Sequence, residues 1–167
     1  MTTSLLAWTI LAWVHIVPWL SKRSKREALL FAVIPHMFRH IGAMAIFPGV
    51  ADVPREWSIP LAYGDGITAL LAMFSMIALK RSSPHATKVV WVFNVFGFLD
   101  LLHNARNAIV FQVAPRLGVI AYVVGFVVPL MLVCHVLIFW ILQRKPASDG
   151  RRICRHCERR KLCGADV

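Results

Sequence analysis

The sequence predicts an all-α fold, an integral membrane helical bundle with five transmembrane helices. Three observations predict it. Hydrophobic residues make up 58% of the 167-residue chain, and the mean hydropathy is +0.64. Ordinary soluble domains are about 45–50% apolar, and a chain this short has too little interior to hide so much apolar surface from water. The apolar residues fall into five runs, each close to the ~20 residues that cross a ~30 Å hydrocarbon core. Lys and Arg gather in alternate connections between those runs.

The expected spans are Thr2–Leu20, Ala28–Val50, Leu61–Leu79, Val89–Val113 and Val119–Leu142. The first has no Lys or Arg before it and is followed by Ser21-Lys22-Arg23. A cleavable signal peptide has the reverse charge order and ends at a small-residue cleavage site, so this run is expected to remain as a span with its N-terminus outside. The second contains Pro35 and the fifth Pro129. Packed membrane helices tolerate both prolines, and a kink is expected at each. The connections are short, and the chain reads as one bundle over residues 1–142 followed by a polar tail over 143–167. Trp19, Trp57, Trp91 and Trp140 fall near predicted membrane interfaces, where tryptophan is enriched. Trp8 and Trp13 fit packing between helices better.

Orientation follows from charge. With the N-terminus outside, 15 of the 19 Lys and Arg residues fall on the cytoplasmic side and only Arg55 and Arg116 on the outer side. Arg39 and Arg106 lie within the apolar runs. This is the positive-inside pattern, and it agrees with an odd number of spans. The net charge of +11 is therefore read as a membrane-topology signal. Nucleic-acid binding is not expected, because no reader fold accompanies the basic residues.

Ionisable residues inside the runs are where chemistry is expected. They are His15, His36, Arg39, His40, Asp65, Asp100, His103, Arg106 and His135. A charge near the centre of a span costs at least ~2.5–3.5 kcal/mol on insertion scales, so such groups face the bundle interior and pair. Counting from the cytoplasmic boundaries at ~1.5 Å per residue puts His15, His36 and His135 about 8–12 Å deep. The same count puts Arg39, His40, Asp65, Asp100 and His103 at about 16–21 Å, with Arg106 above them. Two polar layers are expected. The α-helical spacing of His36, Arg39, His40 and Ala43 places them on one face, and that of Asp100, His103, Asn104 and Asn107 does the same. Arg39 is expected to pair with Asp100, and Asp65 with Arg106 or His103. The three inner histidines have three open readings: ligands of a haem or metal, a proton relay, or hydrogen-bond partners of their neighbours. His36 and His40 at i, i+4 lack the Glu of a zinc-protease motif, and no motif in the chain names a reaction.

The tail carries Cys154, Cys157 and Cys163 together with His156. Their spacing is not that of a standard finger. The favoured reading is a polybasic segment held at the anionic lipid headgroups of the cytoplasmic leaflet, with metal binding by the cysteines as the alternative.

Three strings carry a resemblance: Pro35-His36-Met37-Phe38-Arg39-His40-Ile41-Gly42, Ala62-Tyr63-Gly64-Asp65, and Trp91-Val92-Phe93-Asn94 followed by Gly97 and Asp100-Leu101. They resemble uncharacterised small bacterial membrane proteins. The Arg-then-Gly second span followed by Ala-Tyr-Gly-Asp is also distantly similar to the DoxX-like four-helix membrane proteins, over about residues 30–140. The extra first span and the many histidines depart from that group. The resemblance implies a bacterial inner membrane. Three functions stay open: a membrane-embedded polar site handling a proton, a small solute or a redox partner; a haem- or quinone-associated redox anchor; and an accessory scaffold whose ion pairs only lock helices.

Overall fold

The computed structural model describes residues 1–144. Five long helices account for most of them: α1 (Thr2–Ser21), α2 (Lys25–Ile46), α3 (Arg55–Lys80), α4 (Ala86–Val110) and α5 (Ile120–Gln143). Each is long and apolar enough to cross a membrane. There is no strand among the described residues. The cysteine cluster and the basic segment from residue 145 onward lie outside the described residues.

Two helices depart from regular α geometry. In α1, residues Ala12–Ile16 widen into a π-helical turn just before Pro18. In α2, the backbone tightens to 3-10 geometry over Ile34–Ile46. Pro35 has no N–H to donate, so the α-helical ladder loses a bond where the change begins. A 3-10 run of this length is uncommon, since its hydrogen bonds are poorer. It places residues three apart on one line, and His36, Arg39, Gly42 and Ala45 form that line. At Pro35, where the sequence predicts a kink, the helical pitch changes.

Local chemistry fixes the helix ends. Ser24 and Glu27 form a capping box at the start of α2: Glu27 N–H donates to Ser24 Oγ at 3.3 Å and Ser24 N–H to Glu27 Oε2 at 3.2 Å. Basic side chains satisfy carbonyls at the ends of α1, α3 and α5. Lys25 Nζ donates to Leu142 O at 2.7 Å, Arg26 Nη2 to Lys80 O at 2.5 Å and Arg144 Nη1 to Leu20 O at 3.2 Å. Cations there also complement the helix dipoles. At the opposite end Gly118 has φ +52, and a Cβ on it would press on Val50 O. This lets the turn before α5 close against the loop after α2, where Asp52 N–H donates to Arg116 O at 3.0 Å.

α3 packs along the 3-10 half of α2 and along α4, while α5 meets α1, α2 and α4. α1 sits at the edge, held by Trp8, whose ring packs on Phe126 and whose Nε1 donates to Phe126 O at 3.2 Å. Apolar packing forms two clusters. One joins Leu20, Leu29, Val33, Val90, Phe93 and Ile138 at the basic end, and the other joins Ala45, Trp57, Val113, Leu117 and Ile120 at the far end. Trp57 is buried there, with Nε1 donating to Asn104 O at 3.2 Å. Trp13 is exposed, so it does not pack between helices. Between the two apolar clusters lies a polar one.

Candidate functional site

Arg39 is the hub. Its side chain, almost wholly buried, lies between two carboxylates from different helices. Nε donates to Asp65 Oδ1 on α3 at 2.7 Å, and Nη2 to Asp100 Oδ2 on α4 at 2.7 Å. Nη1 donates to the Gly97 carbonyl at 2.9 Å. Asp100 Oδ1 accepts from Asn104 Nδ2 at 3.0 Å. A guanidinium does not lose its proton in proteins and needs acceptors for a planar fork of donors. Two helices supply them here.

The expected Arg39–Asp100 pair is present. Asp65 does not reach Arg106 or His103; it shares Arg39 with Asp100. Two carboxylates therefore face one guanidinium.

The histidine layer touches this trio. His135 Nδ1 faces Asn94 Oδ1 at 2.8 Å, and Asn94 Nδ2 donates to the His135 carbonyl at 3.2 Å. With the Asn94 oxygen on that side, Nδ1 carries the imidazole proton and Nε2 is left as an acceptor. Nε2 stands 3.5 Å from Arg39 Nη1. His36 packs against His135 with ring centroids 4.1 Å apart at a tilt of 44° and presents an edge to Phe93 at 5.2 Å. His36 is 0% exposed, and neither ring nitrogen has a hydrogen-bond partner among the described residues. His36 and His135 of the one expected layer thus form a single cluster with Arg39, Asp65 and Asp100 of the other. The sequence estimate placed Cα atoms, whereas side chains on α2 lean toward its N-terminus, so the long Arg39 side chain reaches down to the histidine level.

Glycine makes room for each contact. A Cβ on Gly42 would collide with the Asp65 carboxylate, one on Gly64 with the Asp100 carboxylate, and one on Gly97 with Thr68 and His135. Three helices each carry a glycine where a polar side chain of a neighbour must pass. Small residues at membrane helix interfaces allow such close approach.

A cavity of about 590 Å³ opens against the trio. Arg39, Asp65, Asn104 and Gln112 are its polar liners, and Gly42, Trp57, Leu101, Ala108, Val113, Val124 and Met131 are among the others. It runs toward the end of the bundle that carries Arg55 and Arg116.

Four expected site residues lie elsewhere: His15, His40, His103 and Arg106 are exposed. The reason differs by helix. His40 follows the His36 line in an α-helix but stands about 120° off it at three residues per turn. On α4 the buried line runs through Phe93, Gly97, Leu101 and Asn104. At 3.6 residues per turn His103 lies about 120° from Gly97 and Arg106 about 180°. His103 bonds instead to Asn107 at 2.8 Å. His15 sits on the outer side of the peripheral α1. Sequence reasoning passed over Asn94, Thr68 and Gly64. Asn94 falls within the Trp91-Val92-Phe93-Asn94 string, so a buried amide in an apolar run was the available signal.

Among the described residues no three His, Cys, Asp or Glu side chains are grouped to hold a metal ion. Two imidazoles that ligate a haem axially stand on opposite faces of the ring plane, whereas His36 and His135 rest on each other. The pair does not fit that cofactor.

No curated protein and no solved structure matches the chain. One family model does, over residues 1–143, which include all five helices and every residue of the polar cluster. The chain belongs to the family described as a domain of unknown function, DUF8737.

Proposed function

We propose that this chain is a five-span protein of a bacterial cytoplasmic membrane that binds a small molecule in the cavity beside Arg39, Asp65 and Asp100. The N-terminus is outside and the C-terminus cytoplasmic. The orientation rests on the 15-to-2 division of Lys and Arg, and the bacterial setting on the resemblance above.

The observation that carries the reading is a buried ion trio of which Arg39 and Asp65 line a cavity of about 590 Å³ whose lining is otherwise largely apolar. Binding sites for small molecules are concave, mostly apolar and about 300–1,000 Å³, with a few convergent polar groups. A purely structural lock needs the ion pairs but no cavity beside them. The opposite end argues for binding over passage. Below His36 the bundle is closed by Leu29, Val33, Val90, Phe93 and Ile138, all buried. A path from the outer side ends at the polar cluster.

Native mass spectrometry of the protein released from lipid nanodiscs tests this reading. The expected result is a small molecule carried through purification by the wild type and missing from Ala108→Trp, which fills the cavity without touching the trio. A bare wild-type mass, or the same adduct on both proteins, would overturn it.

A further inference from the structure

The cavity has a sign. Arg39 turns Nε, Nη1 and Nη2 to Asp65 Oδ1, Gly97 O and Asp100 Oδ2. The remaining Asp100 oxygen accepts from Asn104. Asp65 Oδ2 is left. It takes no hydrogen bond among the described residues, although Asp65 is only 8% exposed. It is directed at Gly42, and both residues stand on the cavity wall. The one carboxylate oxygen of the trio without a partner among the described residues is thus an acceptor beside the cavity, on a unit with two carboxylates and one guanidinium.

Resting on the pocket reading above, we infer that the occupant is a single-chain amphiphile with a primary ammonium head. Its hydrocarbon fills the apolar cavity and its N–H donors meet Asp65 Oδ2. An uncompensated buried charge is strongly unfavourable, and one ammonium balances the surplus carboxylate. A carboxylate or phosphate head would instead bring a second acceptor and more negative charge to a site whose guanidinium is already turned to its own carboxylates. An alcohol would supply a donor but leave the surplus charge. Among the described residues no group of ligands surrounds Asp65 to hold a metal ion, whereas an ammonium needs a single carboxylate and an apolar sleeve for its chain.

Three probes with the same tail separate the head groups: decylamine, decanol and decanoate. Each is titrated into the full-length protein in lipid nanodiscs, with affinity read from the shift in melting temperature and from native mass spectra. Decylamine is expected to bind most tightly, decanol more weakly, and decanoate not at all. Asp65→Asn is expected to weaken decylamine by about tenfold or more, as loss of a buried charge partner does, and to remove its advantage over decanol. If that variant fails to fold, the wild-type series decides alone. Wild-type preference for decanol or decanoate would overturn the ammonium assignment and leave the pocket standing. Failure of all three to bind would overturn the assignment and count against the pocket as well.

Discussion

His36 is the least satisfied side chain in the described bundle. Both ring nitrogens are buried without a partner, and only ring packing on His135 and Phe93 holds it. A buried polar group left unpaired costs about 1–3 kcal/mol, whereas an apolar group of similar shape does not bear that cost. His36→Leu is therefore expected to melt at the wild-type temperature or above. A drop of several degrees in detergent-solubilised protein would show that His36 holds a partner. Arg39 is the opposite case, with acceptors from two helices. Asp100→Leu leaves Arg39 paired with Asp65 and should cost less than the about 3–5 kcal/mol of a broken buried pair, whereas Arg39→Leu strands both carboxylates and should cost at least that much, and in the double mutant the two losses should not add. Strictly additive losses in that double-mutant cycle would mean that the two residues do not interact. The Arg39–Asp100 pair was legible from sequence because both residues are mid-span charges of opposite sign. The sharing of Arg39 by Asp65 was not, because depth along a span says nothing about which way a side chain turns.

At the scale of elements, α2 decides which residues meet. An α-helical count through Pro35-His36-Met37-Phe38-Arg39-His40 groups His40 with Arg39. The 3-10 pitch replaces it with Gly42 and Ala45. No propensity in the sequence announces so long a 3-10 run, so the placement of His40 was out of reach. The glycines were partly legible: Gly97, one turn before Asp100, reads as a close-approach position. The carboxylate that passes Gly64 belongs to a different helix and could not be read from the chain. Adding a methyl there forces Asp100 off Arg39, since the collision is with the carboxylate itself. Gly64→Ala should cost about 1–3 kcal/mol, as overpacking does, and Gly66→Ala, where a Cβ meets nothing, should cost none. Equal melting temperatures for the two variants would contradict the packing described here.

For the molecule as a whole, hydropathy and charge carried most of the architecture. Five apolar runs became five helices, with ends shifted by a few residues at α2, α3 and α4. The basic residues predicted to lie in the cytoplasm cap helix C-termini at one end of the bundle, a role that charge counting alone does not reveal. A reporter active only outside the cytoplasm should work when fused after Val50 and be silent after Lys145; the reverse pattern would invert the topology. Deleting Ser148–Val167 should leave insertion intact, because every helix of the bundle precedes it, and degradation of the shortened chain would make the tail part of the fold. The central claim is that the trio is a working site and not a lock. Replacing Arg39, Asp65 and Asp100 together by leucine tests it most directly, because well-packed apolar residues replace buried ion pairs at little cost or even a gain in stability. The measurement is the native mass spectrum of this folded variant, taken beside the wild type. The account predicts a triple-leucine protein that has lost the molecule the wild type carries. The same adduct on both would contradict it.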